Sequence, residues 1–226
     1  MHTILITGAN RGLGLEMAKQ YSTDGWQVIA CCRDPEQADD LHKLENDIKI
    51  LQLDVGNIRT IKELARRIGN QPIDILLNNA GVLPHDQEFG AIDAELLIDT
   101  FKVNTVAPFI LAEMLFKNIL ASDLKIIANM SSIMGSMGLN NSGGYYAYRS
   151  TKAALNALVK SMSIDLKSHD ITVVALHPGW VKTDMGGPNA AIAPEESVRK
   201  IRQILSNLSL VDSGSFIDYA SNKLAW

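Results

Sequence analysis

The amino-acid sequence predicts a doubly wound α/β fold, in which a parallel sheet of about seven strands carries helices on both faces. Two observations predict it. Short runs of β-branched and aliphatic residues alternate with longer segments whose apolar residues recur every three or four positions. Most of the short runs have a continuous apolar centre, as expected of strands that are buried on both faces.

The strand candidates follow one another along the whole chain. They cover residues 3–7, 27–32, 49–54, 73–78, 124–130, 172–177 and, with a weaker pattern, 215–219. Between the first two strands, Leu13, Met17 and Tyr21 are spaced as one face of a helix. The sequence contains no linker, repeat or low-complexity stretch, so we expect residues 1–226 to form a single domain.

Composition limits the classes of partner and the compartment. A net charge of −4 gives no reason to expect nucleic acid or an anionic membrane as partner. No apolar stretch approaches the ~20 residues that span a bilayer, and the first apolar run leads directly into a glycine-rich turn, leaving no room for a signal peptide. Cys31 and Cys32 are adjacent on a predicted strand and point to opposite faces, which favours reduced thiols. We therefore expect a cytoplasmic protein.

A glycine-rich turn, T-G-A-N-R-G-L-G over residues 7–14, follows the first strand and opens the first helix. Glycines allow a tight turn and a close approach of backbone to phosphate, and the helix N-terminus offers free N–H groups to a pyrophosphate. A strand–helix turn of another α/β protein is the alternative interpretation. No G-K-[ST] follows, which disfavours a P-loop ATPase.

Further motifs follow this turn in a fixed order and make the interpretation specific. They are Asp54-Val55, Asn78-Asn79-Ala80-Gly81, Ser132, Tyr148-x-x-x-Lys152 and Pro178-Gly179, each after a successive strand or opening a helix. In this series, which covers nearly the whole chain, the sequence resembles the short-chain dehydrogenases/reductases, and most closely their carbonyl-reductase and C-signal-like branch. The resemblance implies a Rossmann-type fold and one dinucleotide-binding and catalytic domain over residues 1–226.

The same resemblance implies where a dinucleotide cofactor binds. Asp54 and Val55 are expected beside the adenine, and the segment Asn78–Gly81 along the ribose and pyrophosphate. From residues alone, Asp54 could instead cap the following helix and Gly81 could merely turn the chain. The cofactor-binding residues that we predict are Gly8, Asn10, Arg11, Gly12, Leu13, Gly14, Arg33, Asp54, Val55, Asn79, Ala80, Gly81, Tyr148, Lys152, Pro178, Gly179, Val181 and Thr183.

Two arginines favour NADP(H) over NAD(H). An acid ~20 residues past the glycines bonds the ribose 2′-hydroxyl, whereas an arginine accommodates a 2′-phosphate. Cys32 occupies that position, Arg33 follows it, and Arg11 offers a second guanidinium from the turn. Alternatively both arginines are surface charges and Asp34 is the NAD-selecting acid. Asp34-Pro35-Glu36, however, is typical of a helix start, with Asp34 as N-cap.

Tyr148 and Lys152 are the predicted catalytic pair. They are four residues apart in a predicted helix over residues 145–167 and share one of its faces. A nearby ammonium favours the phenolate, so we expect Lys152 to lower the pKa of Tyr148 from its usual value of ~10. Tyr145 and Tyr146 have Arg149 and Ser150 at the equivalent spacing. A solvent-exposed tyrosine and lysine would be the alternative for an isolated pair.

Ser132 and Asn104 complete the predicted catalytic group. Ser132, at the end of the fifth strand, fits the family pattern S-x-x-G and could hydrogen-bond a substrate carbonyl, leaving Ser131 as its neighbour. Asn104 matches the asparagine that holds a proton relay to the active-site lysine in this family, or it is a polar residue that disrupts a helix. The family also implies that Lys152 bonds the nicotinamide ribose. Residues 140–144 form an extra segment expected at the mouth of the site.

The sequence thus predicts an NADP(H)-dependent oxidoreductase that transfers a hydride to or from a small-molecule carbonyl or secondary alcohol. The alternative is a nucleotide-binding regulatory or signalling protein that keeps the fold with little turnover. Five scattered histidines lack metal-ligand spacing, so no metal is expected. The resemblance implies a homodimer paired through helices near 96–120 and 145–167.

Overall fold

A seven-stranded parallel sheet forms the centre of the molecule, as the sequence predicts. The computed structural model describes residues 1–44, 48–85 and 87–226. Every predicted strand is present, with limits that differ from the prediction by a residue or two at most. The strands are β1 (Thr3–Thr7), β2 (Gln27–Cys32), β3 (Ile48–Gln52), β4 (Ile75–Asn78), β5 (Ile126–Met130), β6 (Thr172–His177) and β7 (Phe216–Asp218).

The strand order is β3-β2-β1-β4-β5-β6-β7, so the chain begins in the middle of the sheet. It winds outward to β3, returns to β4 on the other side of β1, and then winds outward again to β7. β1 pairs in parallel with both β2 and β4. The winding direction therefore reverses between β1 and β4, and open α/β sheets bind ligands outside the carboxyl ends of the strands at such a point.

Eight α-helices cover the sheet in the described residues. They are α1 (Gly12–Thr23), α2 (Asp39–His42), α3 (Ile58–Ile68), α4 (Ala94–Phe101), α5 (Ala107–Met114), α6 (Phe116–Leu120), α7 (Tyr146–Asp165) and α8 (Pro194–Asn207). Apolar side chains of α1, α2 and α8 pack against one face of the sheet. Those of α3, α5, α6 and α7 pack against the other, which confirms the doubly wound arrangement.

Successive strand residues divide between these two cores. In β1, Ile4 and Ile6 face one core and Leu5 faces the other. Cys32 and Cys31 divide in the same way and both are free, as predicted from their adjacency. Burial disfavours the thiolate and raises the pKa of both thiols.

β4 and β5 begin two residues later than predicted. The apolar run at 73–78 contains Asp74, whose carboxylate accepts a hydrogen bond from the Thr3 backbone N–H at 2.8 Å. Before β5, Lys125 has a positive φ of 54°, a left-handed conformation that interrupts an extended strand. The apolar pattern alone predicts neither the hydrogen bond of Asp74 nor the left-handed conformation of Lys125.

The predicted helix over residues 96–120 is not continuous. A π-helical turn, Lys102–Val106, separates α4 from α5, and Leu115 departs from helical geometry between α5 and α6. Asn104 lies in the π-helical turn, where such irregularities often mark functional sites. In the part of the chain that the structure describes, no helix is long and apolar enough to cross a membrane.

Candidate active site

The glycine-rich turn lies between the carboxyl end of β1 and the start of α1, and a side chain has no room at Gly8 or Gly14. A Cβ on Gly14 would lie 2.2 Å from the Gly8 carbonyl oxygen. Gly8 has a φ of +65°, and a Cβ there would lie 3.0 Å from the Ala80 Cα. Within the described residues, no side chain caps α1 and no acid lies in its first turn. Its N–H groups are therefore suited to a phosphate.

A cleft of about 410 Å³, which we call the inner cleft, opens at the carboxyl ends of the strands. Most of the predicted cofactor residues line it: Gly8, Asn10, Arg11, Gly12, Leu13, Arg33, Asp54, Val55, Asn79, Ala80, Gly81, Tyr148, Lys152, Pro178 and Thr183. The sequence analysis did not single out Leu53, Val82, Val103, Asp184 and Met185, which also line it.

Three predicted cofactor residues lie behind the lining of the inner cleft. Gly14 is packed beneath the turn against the Gly8 carbonyl. Gly179 has a φ of +84°, and its missing Cβ leaves room for Ile192. Val181 is buried and forms an isolated bridge with Ile192. These residues shape the backbone that carries Pro178 and Thr183 into the cleft.

Thr7 and Asn79 brace the turn, and only Asn79 was predicted as a site residue. The Thr7 hydroxyl accepts hydrogen bonds from the backbone N–H groups of Asn79, at 3.0 Å, and Ala80, at 2.9 Å. The Asn79 side-chain amide donates to the carbonyls of Thr7 and Gly8 at 2.9 and 3.2 Å. Together they join the ends of β1 and β4 beneath the inner cleft.

Asp54 does not cap α3, so that alternative is disfavoured. Asn57 is the N-cap residue, and its side chain accepts the Arg59 N–H at 3.0 Å. The Asp54 carboxylate instead accepts the Gly56 N–H at 3.0 Å while it faces the inner cleft.

At the end of β2 the inner cleft is lined by Cys32 and Arg33, whereas Asp34 is not part of its lining. Asp34 holds the N-cap position of a short 3₁₀ helix, Pro35–Gln37, without a side-chain capping bond. The expected helix start is thus present, but as a single turn. Arg11 pairs with Asp184 at 2.9 Å, and both side chains are largely exposed.

Tyr148 and Lys152 lie on α7 and line the inner cleft. They are only 8% and 3% exposed, and the Lys152 Nζ lies 5.7 Å from the centre of the Tyr148 ring. Burial raises the pKa of Tyr148 to about 12, and a hydrogen bond with the Ser132 side chain opposes the rise. Burial also lowers the pKa of Lys152 to about 8.

The expectation that the Lys152 ammonium lowers the pKa of Tyr148 is therefore wrong. Desolvation is the largest influence on the pKa of both groups, because each side chain loses contact with water when the chain folds. The Lys152 ammonium donates a hydrogen bond of 2.8 Å to the Met130 carbonyl.

Two adjacent serines at the end of β5 have different partners. The Ser131 hydroxyl donates to the Asn156 side chain at 2.6 Å. The Ser132 hydroxyl accepts the Met134 N–H at 3.2 Å and interacts with Tyr148. Ser132 is thus the serine that lies beside the tyrosine, whereas Ser131 lines the inner cleft.

Asn104 is fully buried and links three segments around Lys152. Its side chain exchanges two 2.9 Å hydrogen bonds with the Val82 backbone and donates to the Thr151 hydroxyl at 3.2 Å. A Cβ on Gly81 would lie 3.3 Å from the Asn104 Oδ1 and 3.5 Å from the Lys152 Nζ. Asn104 therefore both belongs to a helix irregularity and lies close to the lysine.

A second cleft of about 730 Å³, the outer cleft, adjoins the inner one and shares Arg11, Gly81, Val82, Asp184 and Met185 with it. One wall is formed by residues 82–85 and 87–91, and the other by residues 142–145. The half-exposed Tyr145 belongs to the second wall, and the Tyr146 side chain is likewise exposed. The tyrosine that is buried beside Ser132 and Lys152 is Tyr148.

Gln87 is a residue of this region that sequence analysis missed. It is 4% exposed, and its side-chain oxygen accepts the Tyr148 backbone N–H at 2.7 Å. The Gln87 carbonyl accepts the Tyr146 N–H. No local pattern indicates this cap, because Gln87 is 61 residues away from its partner.

Comparisons with known proteins agree with this geometry. Residues 2–192 match the sequence model of the family described as short chain dehydrogenase. C-signal of Myxococcus xanthus is 38% identical over 166 residues, which cover 74% of this chain and all of that protein. The chain belongs to the short-chain dehydrogenase/reductase family.

Solved structures narrow the branch. Carbonyl reductase Sniffer of D. melanogaster superposes with a TM-score of 0.92 at 40% identity, with full coverage of both chains. The NADPH-bound carbonyl reductase from chicken fatty liver gives 0.93 at 33% identity, covering 100% of this chain and 99% of that one. The chain lies in the branch that holds C-signal and these carbonyl reductases.

Proposed function

We propose that this protein is an NADP(H)-dependent oxidoreductase that transfers a hydride between the cofactor and a carbonyl or secondary alcohol, working as a carbonyl reductase. The observation that carries the proposal is the convergence of Tyr148, Lys152 and Ser132 next to the inner cleft, which the outer cleft adjoins. Related carbonyl reductases of known structure, one of them NADPH-bound, support it.

The residues of the inner cleft fit such a cofactor. The turn at Gly8–Gly14 leaves backbone N–H groups open to a pyrophosphate, and Asp54 and Val55, which line the cleft, would hold the adenine end. Arg33 would meet the 2′-phosphate. Arg11 would also bind the 2′-phosphate if its ion pair with Asp184 opened. With the ion pair closed, Arg11 would instead hold the loop that follows Thr183.

Each catalytic side chain has a separate task. The reduced nicotinamide supplies the hydride when it is bound. Ser132 hydrogen-bonds the substrate oxygen, and Tyr148, which burial keeps protonated, donates its proton to that oxygen. Lys152 would bond the ribose hydroxyls of the cofactor and return a proton to Tyr148, and Asn104 would hold the relay that supplies Lys152 with that proton.

The direct test of the cofactor assignment is the ratio of kcat/KM for NADPH to that for NADH. We expect a ratio of about tenfold or more, and a lower ratio in Arg33→Ala, because a charge-assisted contact with phosphate is lost. Arg199→Ala is the control, since Arg199 is exposed on α8 and lines neither cleft. A wild-type ratio at or below one contradicts the assignment.

The second candidate is a nucleotide-binding signalling protein with little turnover, which the 38% identity with C-signal brings into consideration. A panel of aldehydes, ketones and quinones separates the two functions. Tight NADPH binding without NADPH oxidation on the whole panel would favour the binder. A cytoplasmic location, which the free thiols favour, belongs to the same proposal.

A further inference from the structure

The segment that precedes α7 has an unusual backbone. Gly143, Gly144 and Tyr145 have φ angles of +65°, +63° and +50°, so three consecutive residues are left-handed. For Tyr145, which has a Cβ, this conformation costs about 1–2 kcal/mol and persists only where the surroundings hold it. All three residues form a wall of the outer cleft, so whatever holds this backbone also shapes that cleft.

The Arg149 guanidinium holds this left-handed backbone through hydrogen bonds. Its Nη2 donates to the Ser142 hydroxyl at 2.8 Å, and its Nε donates to the Gly143 carbonyl at 3.2 Å. Its Nη1 donates a longer hydrogen bond, of 3.4 Å, to the Met134 carbonyl. The backbone N–H of the same Met134 donates to the Ser132 hydroxyl. Among the described residues no carboxylate pairs with Arg149, so all of its acceptors here are neutral.

We infer that Arg149 is a positioning residue that sets substrate specificity by fixing the 142–145 wall of the outer cleft relative to Ser132. The inference rests on the proposed function, because it takes the outer cleft as the place of the carbonyl substrate. Arg149 lines neither cleft and acts only through the groups it binds. The planar guanidinium reaches separate acceptors with fixed geometry, which a lysine ammonium does not reproduce.

The kinetic test compares Arg149→Met and Arg149→Lys with wild type on two substrates, a small aliphatic aldehyde and a bulky aromatic ketone. We expect Arg149→Met to raise KM for the preferred substrate about tenfold, with a smaller change in kcat, and to reduce the preference between the two. The Kd for NADPH should stay within about twofold, because the wall does not line the inner cleft. Arg149→Lys should not restore the preference, and Arg199→Met should behave as wild type.

Hydrogen exchange tests the same inference without substrate. Amides of residues 140–146 should exchange at least about tenfold faster in Arg149→Met, while those of the central strands remain unchanged. If Arg149→Met does not fold, Ser142→Ala, which removes only one acceptor, should shift KM and exchange in the same direction by less.

Three outcomes overturn the inference: unchanged KM values, unchanged exchange in a folded variant, or an equal loss of kcat on both substrates with unchanged KM. The last would mean that Arg149 only supports the fold. If the wild-type protein reduces no carbonyl compound, the proposed function fails, and the exchange measurement still decides whether Arg149 holds the wall.

Discussion

At the scale of single residues, Tyr148 and Lys152 respond to burial in opposite directions. The loss of water disfavours the phenolate and raises the pKa of Tyr148 to about 12, and it disfavours the ammonium and lowers the pKa of Lys152 to about 8. Near neutral pH, both groups therefore carry their protons. That is the state in which a tyrosine can protonate a substrate oxygen and a lysine can replace the proton.

This pair predicts how the rate depends on pH. Below pH 8 Lys152 is protonated, and it loses its proton as the pH rises through its pKa of about 8. We expect kcat/KM for carbonyl reduction to fall with a single ionisation above that pH. A profile measured with NADPH checks this, with Lys160→Gln as control, since Lys160 is exposed on the same helix. A profile that stays flat well above pH 8 contradicts the role of Lys152.

Spacing within motifs made part of this site predictable. Tyr148, Lys152 and Ser132 could be selected because their neighbours fit the family pattern less well. Thr7 and Gln87 could not, since their roles come from hydrogen bonds to residues more than 60 positions away. The desolvation of Lys152 likewise depends on packing that no local pattern contains.

At the scale of elements, the start of α7 depends on another segment of the chain. Its N-cap residue, Tyr145, makes no side-chain capping bond, and no acid lies in the first turn. Gln87, in the wall opposite, supplies acceptors for the N–H groups of Tyr146 and Tyr148. The position of Tyr148 is thereby tied to Gln87 and the wall in which it lies.

Replacing Gln87 by leucine should destabilise the protein by about 1–3 kcal/mol, because the Tyr148 N–H is left buried without an acceptor. Gln87→Glu keeps an acceptor at the helix N-terminus and should lose less stability. Chemical denaturation measures both variants. Equal stability of Gln87→Leu and wild type would mean that the bond contributes nothing.

The positions of the strands could be predicted from the sequence more fully than the limits of the helices. Strands buried on both faces appear as continuous apolar runs, which made the central strands easy to locate. The edge strand β3 is partly exposed and carries Lys49 and Gln52 within its run, so its pattern is weaker. The break between α4 and α5 was indicated only as one of two alternatives for Asn104, because an apolar repeat continues through it. It arises where the Asn104 side chain turns inward to bind the Val82 backbone and Thr151.

At the scale of the whole molecule, both cores share one sheet. Each strand of the centre contributes side chains to both faces, so the two cores depend on the same strands. Half-exposed apolar side chains remain on the helices expected to pair subunits, at Ile98, Met114 and Ile164. The homodimer stays a proposal that rests on the family resemblance and on these residues.

The shared sheet predicts that residues 1–226 unfold as one domain. Far-ultraviolet circular dichroism and tryptophan fluorescence should report the same transition, since Trp26 and Trp226 pack on opposite faces of the sheet. A saturating concentration of NADPH, at 100 times its Kd, should add about 2.7 kcal/mol. Two separate transitions would contradict the single-domain prediction.

The central claim is that Tyr148 acts as the proton donor of an NADPH-dependent carbonyl reductase. Its most direct test is NADPH oxidation by the Tyr148→Phe variant, measured beside NADPH binding on a carbonyl compound that the wild type reduces. We predict a loss of turnover of at least about 100-fold, with the Kd for NADPH nearly unchanged. Turnover by Tyr148→Phe at the wild-type rate would contradict the claim.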